Sequence, residues 1–560
     1  MVGVGLVVGW ASRNPLKVGR RVTLAGEIPA IHPVVDRVDT WFRASWKEAG
    51  VQVAPSAEPL ALLRRLSLAL HGTIPSLEEI RQFEADDRPD RLLRWTRQAL
   101  DDSRFSDYFA ERLARGLVGT DKGSFIVYRR DRFVSWLADQ LKVDRPYDQI
   151  VREMMTRRGL WTGKSAAVNF LMSAFKDDEF DEMKLAGRTV RSFLGQRMDC
   201  AQCHDHPFDD WTQAQFEGLS AFYSHAQVTI VGLEDKDKAY TIQDRKTLKD
   251  RVVVPAVPFG QSWLPATGTL RERLATWIVH PQNVRFPRAI VNRVWGYVFG
   301  RPYVVPVDDL PDPDAQGDLL DILADDFKSH QFSIKRLILV MTSLASFRLD
   351  STPAPKVSHG RLAGGEGEGV VVPGDGRGTV SGDGKPGEVA PVSRRSYVAS
   401  SKVWACFPLV RLRPEQVIGA LLQSANIKTI DQNSHLIQRF VRFIWENDFL
   451  KLYGDLGDLE LDGRGGTIPQ RLLLLNGKFA KEASEAQPFS SAGRLAMFAT
   501  TDRDCVDGVY LICLTRRPTL IERRVFEAQL SGATSGDERS RLVEDLFWSL
   551  LNSTEFAWGH

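Results

Sequence analysis

Apolar residues recur at helical intervals through most of the first half of the chain. Leu60, Leu63, Leu66 and Leu70 follow helix spacing and the run stops at Gly72, a residue suited to the left-handed turn that closes a helix. Ser76 and Glu79 have the spacing of a capping box, in which side chain and backbone satisfy each other, so a second helix is predicted to open there and to carry Ile80 and Phe83. Further helices are predicted over Leu92–Leu100, Phe133–Leu141 and Tyr147–Met155, with short polar or proline-containing turns between them. Leu185–Met198 is basic and apolar by turns, with Val190, Phe193 and Leu194 on one face, and this helix is expected to run directly into Cys200. Thr212 and Gln215 form another capping box, opening a helix with Phe216, Leu219 and Phe222.

The pattern weakens from Gln227 to Thr269, where Lys/Asp-rich stretches precede Val252–Pro258, read as a short strand or extended connector. Helical spacing returns over Arg271–Val279, Arg288–Phe299, Leu319–Phe327 and Ile334–Leu344, with Asp308 and Asp309 in a loop between prolines. More than a third of Gly360–Gly387 is glycine, too little apolar surface to hold one shape. Helices resume near Pro414; Thr519 and Glu522 form a third capping box, and Leu546, Leu550 and Phe556 suggest a packed terminal helix. The fold class read from this is mainly α: a multi-helix domain over 56–226 and a second mainly helical domain over 270–560, with a flexible Gly-rich insert at 353–393, a connector at 227–269 and an N-terminal segment at 1–55.

Composition narrows the setting. Hydrophobic content of 43% and charged content of 26% are those of an ordinary globular protein, and 560 residues exceed one core. A net charge of +2 against 73 basic and 71 acidic side chains leaves no broad field to draw the chain onto DNA or an anionic membrane, so nucleic acid is not an expected partner. Met1–Ala11 is apolar but shorter than a membrane span, and reads either as the remnant of an export signal or as a poorly ordered end. No later segment is apolar for long enough to span, and Cys406, Cys505 and Cys513 are scattered, as buried structural cysteines are.

One stretch names a chemistry. Cys200-Ala201-Gln202-Cys203-His204 has the spacing by which c-type haem is attached: two thiols form thioethers with the porphyrin vinyl groups and the adjacent imidazole sits beneath the iron. His204 is thus the proximal ligand. A distal methionine is absent between Met198 and Met341, so His225 is the candidate distal ligand, and a vacant sixth position would favour ligand or peroxide chemistry. Two alternatives remain for the same residues. A zinc or iron site would use both thiolates with His206 and Asp205 or Asp209 but lacks a second Cys/His pair. A redox or structural disulfide would want a cysteine at a helix start, whereas Cys200 is expected to end a helix, where the dipole disfavours a thiolate. Asp308 and Asp309 read as turn formers ahead of paired carboxylates, and Asn292, Arg293 and Trp295 as a helix end packed on a partner.

The run from Arg197 through the CxxCH motif to Trp211-Thr212-Gln213, continuing to Ala221-Phe222-Tyr223, resembles the signature of a planctomycete cytochrome c-like domain of unknown function. Phe286-Pro287-Arg288 through Gly300, followed by Val304–Leu310 and by Leu550–Phe556 at the C-terminus, resembles the companion domain of the same large secreted proteins, domain-of-unknown-function families 1549 and 1553 in tandem. Relatives often carry a separate haem module ahead of these domains and a large insertion between them, and this chain departs on both counts. The resemblance implies architecture and an extracytoplasmic setting, periplasmic or cell envelope, more than an activity. The expected role is electron transfer or redox chemistry with an exported redox or envelope protein partner, using haem c. Its rivals are an envelope binding or structural protein, and a non-haem metal enzyme acting on an extracellular polymer.

Overall fold

Two helices that are apolar on nearly every side form the centre of the protein. Pro59–His71 starts with Pro59 in the first turn, where its missing N–H costs nothing, and is buried from Leu62 to His71. Gly72 ends it at φ 66°; a Cβ there would come within 2.4 Å of the Tyr108 ring, so glycine is required on two counts. Arg285–Phe299 is buried at every position from Phe286 onward. A computed structural model describes residues 30–120, 128–243, 249–312, 317–353, 394–430, 449, 452–453, 461 and 467–559 of the chain, and the described residues from Ile31 onward pack as one unit.

The predicted helices are present, with small shifts at their ends: Leu77–Glu84, Arg91–Asp101, Arg130–Lys142, Tyr147–Thr156, Leu270–Ile278, Leu319–Ser329, Ile334–Ser343 and Pro414–Ser424. All three expected capping boxes form, at Ser76/Glu79, Thr212/Gln215 and Thr519/Glu522. Strands among the described residues occur as two-stranded antiparallel pairs: Phe175–Lys176 with Glu179–Phe180, Ala226–Thr229 with Gly232–Asp235, Tyr240–Gln243 with Asp250–Val253, and Val410–Arg411 with Trp558–Gly559. The protein is mainly helical.

Several expectations are corrected. Leu185–Met198 is not one helix: Glu182–Thr189 passes into a π-helical turn at Val190–Leu194 and stops at Gly195, φ 61°. Val252–Pro258 combines both readings given for it, a strand end to Val253 and then unpaired connector. Phe556 lies beyond the terminal helix Gly536–Leu551, in a short 3-10 turn. Asn292, Arg293 and Trp295 are not at a helix end. They sit within Arg285–Phe299, and Asn292 exchanges two 2.9 Å hydrogen bonds with the backbone of Val304. The segment 1–55 contains a helix unforeseen from the pattern, His32–Glu48, which buries Val34, Val38, Phe42 and Trp46. Met1–Ala11 and, from 354, the Gly-rich insert lie outside the described residues.

Packing runs across the boundaries drawn from sequence. Arg64, fully buried, donates to the carbonyls of Cys513 (3.2 Å) and Phe556 (3.3 Å), and Arg65 to those of Phe347 (2.6 Å) and Leu349 (2.8 Å). Arg271 reaches back to Asp235 and to the carbonyls of Met155 and Arg157, and Tyr297 donates to the Arg112 carbonyl at 2.9 Å. Guanidinium groups thus satisfy carbonyls at helix ends that burial has removed from water.

Candidate functional site

The CxxCH motif stands on a short 3-10 turn, Asp199–Gln202, flanked by two well-buried residues. Met198 is 1% exposed and Ala201 0%, and Ala201 N–H donates to the Met198 carbonyl at 2.9 Å. Cys200 lies in the turn and Cys203 caps its end, while Ala201 between them is buried. Both cysteines are exposed thiols. Cys200 therefore does not end an α-helix, and the dipole argument against a reactive thiolate does not apply.

Polar bonds fix the approach to this turn. Gly195, whose added Cβ would meet Leu310 at 3.0 Å, accepts at its carbonyl from Leu310 N–H at 2.7 Å. Gln196 donates to the Leu310 carbonyl at 2.5 Å, Arg197 pairs with Asp308 at 2.7 Å, and the Arg197 N–H donates to Asp309 at 3.3 Å. Arg191 pairs with Asp199 through its Nε at 2.8 Å. Asp308 and Asp309 are thus loop residues, as read from sequence, and their carboxylates hold the residues just before Cys200. No sequence spacing announced that pairing.

Beyond the turn, His204 is exposed and its Nδ1 lies 2.7 Å from the Asp205 carbonyl oxygen. A carbonyl can only accept, so Nδ1 carries a proton, and in the neutral ring the lone pair is then on Nε2, the tautomer that binds a metal or haem iron. Asp205 accepts from the Gln213 N–H at 2.9 Å, tying this residue to the start of helix Gln213–Ser220. His206 bonds locally. Its N–H donates to the Trp211 carbonyl at 2.7 Å, and its Nδ1 lies 3.3 Å from both the Phe208 N–H and an Asp209 oxygen. Trp211 lies against the Arg285 guanidinium, 5.8 Å from the ring centre. His225 sits at the base of the hairpin Ala226–Asp235, its Nε2 3.1 Å from Asp237.

The apolar side chains flanking the motif are not free to wall a macrocycle. Val190, Phe193, Leu194, Phe216, Leu219 and Phe222 are at most 2% exposed, spent on the protein's own core, whereas Phe208 beside the motif is 92% exposed. The attachment groups suit a c-type haem, and these six side chains do not enclose them. Among the described residues, no three His, Cys, Asp or Glu side chains group as a metal site, so Cys200, Cys203 and His206 are not preassembled as ligands. The other thiols are structural: Cys406, Cys505 and Cys513 are fully buried, and burial pushes Cys406 up to about 12 and Cys505 up to about 11.

Residues 37–228 match the family model PSCyt2, a protein of unknown function (DUF1549), and residues 270–360 match PSD1, a protein of unknown function (DUF1553). No curated protein and no solved structure matches the chain. The motif turn belongs to the first matched region and the Asp308–Leu310 loop that holds it belongs to the second, so the two regions meet at this site. The chain carries a DUF1549 region and a DUF1553 region in tandem.

Proposed function

We propose that the protein is an extracytoplasmic c-type haem protein acting in electron transfer, with Cys200 and Cys203 as the attachment thiols and His204 as the proximal ligand. The observation that carries this reading is His204: its Nδ1–H is held by the Asp205 carbonyl, which leaves Nε2 for iron, beside two exposed thiols. Haem bound there supplies one-electron exchange. The chain itself orients the imidazole through Asp205, which the Gln213 N–H holds in turn, and keeps the thiols in register through Met198 and Ala201. Asp205, Asp209 and Asp210 are exposed beside the motif, so a protein redox partner would present a basic face.

A second reading, a dithiol–disulfide couple, is favoured by one observation: both thiols are exposed, three residues apart at one short turn. The test is intact mass and a pyridine haemochrome spectrum of the chain exported in a host that matures cytochromes c. Added haem mass with a c-type α-band supports the first reading. An unmodified mass rejects it, and a mass lower by two hydrogens under oxidising conditions supports the second.

A further inference from the structure

The hairpin Ala226–Thr229/Gly232–Asp235 closes through a two-residue turn, Ile230 and Val231. Such turns normally carry Gly, Asn or Asp, whose backbones tolerate the required geometry and whose surfaces suit water. Here both are β-branched and apolar, and Ile230 is 101% and Val231 56% exposed. The turn is nevertheless firmly built. Thr229 Oγ1 donates to the Gly232 carbonyl at 3.0 Å, Val231 N–H donates to Thr229 Oγ1 at 3.3 Å, and Gly232 takes φ 109°. The left-handed backbone falls on Gly232, so what is unusual here is two apolar side chains exposed at a well-bonded tip, an arrangement that signals use.

The hairpin is joined to a basic groove. Gly159 and Leu233 form an antiparallel bridge with two 2.9 Å hydrogen bonds, and a Cβ on Gly232 would lie 2.5 Å from the Leu160 nitrogen, so Leu160, itself 47% exposed, adjoins the turn. Immediately before it, Arg157 and Arg158 join Arg145 and Arg152 in lining a surface groove of about 580 Å³. Its one acidic lining residue is Glu153, which lies against Arg145 and 3.7 Å from Arg157. Asp235 faces Arg158 at 2.9 Å but is also held by the fully buried Arg271, and Glu234 accepts from Thr229 at 3.2 Å. Among the lining residues four arginines thus face one glutamate, with Asp148 beside Arg152 and Arg145 and Asp235 beside Arg158 as the neighbouring acids.

We propose that Ile230, Val231 and Leu160 insert into an anionic membrane surface while the Arg145/Arg152/Arg157/Arg158 groove takes lipid phosphates. Guanidinium forks match phosphate oxygens in pairs, and apolar tips gain by entering the headgroup boundary. A soluble anion would make no use of the exposed apolar turn, and no helix among the described residues is long and apolar enough to cross a membrane, so the contact is peripheral. This inference does not depend on the haem reading.

The test is co-sedimentation of the full chain with vesicles of phosphatidylcholine alone or with phosphatidylglycerol. Binding is expected on the anionic vesicles, weakened by salt, and reduced roughly tenfold or more both by Ile230→Asp with Val231→Asp and by Arg157→Glu. Thermal unfolding of each variant verifies that the fold is intact. Absence of a preference for anionic vesicles overturns the proposal. So does a hairpin variant that binds as well as the parent while Arg157→Glu does not, a result that assigns the groove to soluble anions.

Discussion

Arg197, three residues before Cys200, forms an ion pair of 2.7 Å with Asp308, a residue more than a hundred positions later in the chain. Asp308 is 15% exposed at its side chain and Arg197 36%, so the pair is partly shielded and is reinforced by the Arg197 N–H bond to Asp309. Through it, the DUF1553 region positions the motif of the DUF1549 region.

Asp308→Ala should therefore loosen the CxxCH turn without dismantling the core. The expected loss is about 1 kcal/mol in denaturant unfolding. Faster amide exchange, confined to the segment from Gly195 to His204, is the accompanying signature. Unchanged exchange there would show that the Gly195–Leu310 and Gln196–Leu310 bonds suffice.

Separate roles are expected for the motif residues. His204→Ala should leave haem covalently attached while shifting its spectrum, since the thioethers do not involve the imidazole. Cys200→Ala combined with Cys203→Ala should remove covalent haem altogether, read by intact mass. Covalent haem in the double variant contradicts the proposed attachment.

Acid sensitivity should be traceable to His71. This side chain is buried in the central helix, bonded to the Ala99 carbonyl at 3.1 Å, and burial lowers its pKa from 6.5 to about 4, with nearby Arg104 acting in the same direction. The unfolded chain then binds the proton more readily than the folded one between these values. Stability thus rises with pH across that window and is lost as pH falls through it, by about 3 kcal/mol at most. His71→Gln, which keeps a donor and cannot be protonated, should flatten this part of the profile relative to the parent. Parallel profiles would exclude His71 as the source.

Gly419 tests the packing of distant segments. A Cβ there would come within 2.4 Å of the Gly72 carbonyl oxygen, and Thr73 donates to the Gly419 carbonyl at 2.8 Å. Gly419→Ala should force helix Pro414–Ser424 from the Gly72 turn and destabilise the whole unit by about 1–3 kcal/mol, in a single transition. Loss of the C-terminal region alone, in a separate step, would show that it folds independently.

Local signals in the sequence were sufficient for much of the helical framework. Leu60 to Leu70 ending at Gly72, and the three capping boxes, could be read because helix spacing and caps involve residues within four positions of each other. The helix His32–Glu48 escaped because its valines and aromatics follow a segment that reads as an export remnant. The break at Gly195 escaped because the apolar face continues through Val190–Leu194 while the hydrogen-bond pattern changes to a π turn.

By itself, the sequence determined the mainly helical class, the tandem signatures and the Cys200/Cys203/His204 triplet, all carried by short-range spacing and residue chemistry. Tertiary structure alone decided that the neighbouring apolar faces are consumed by the core and that Asp308 and Asp309 hold Arg197. It likewise gathered arginines beside an exposed Ile230–Val231 turn in a chain whose overall charge is only +2. The physical reason is common to these cases: burial, ion pairing and local charge depend on which distant segments meet, and net composition and short-range periodicity average over that information.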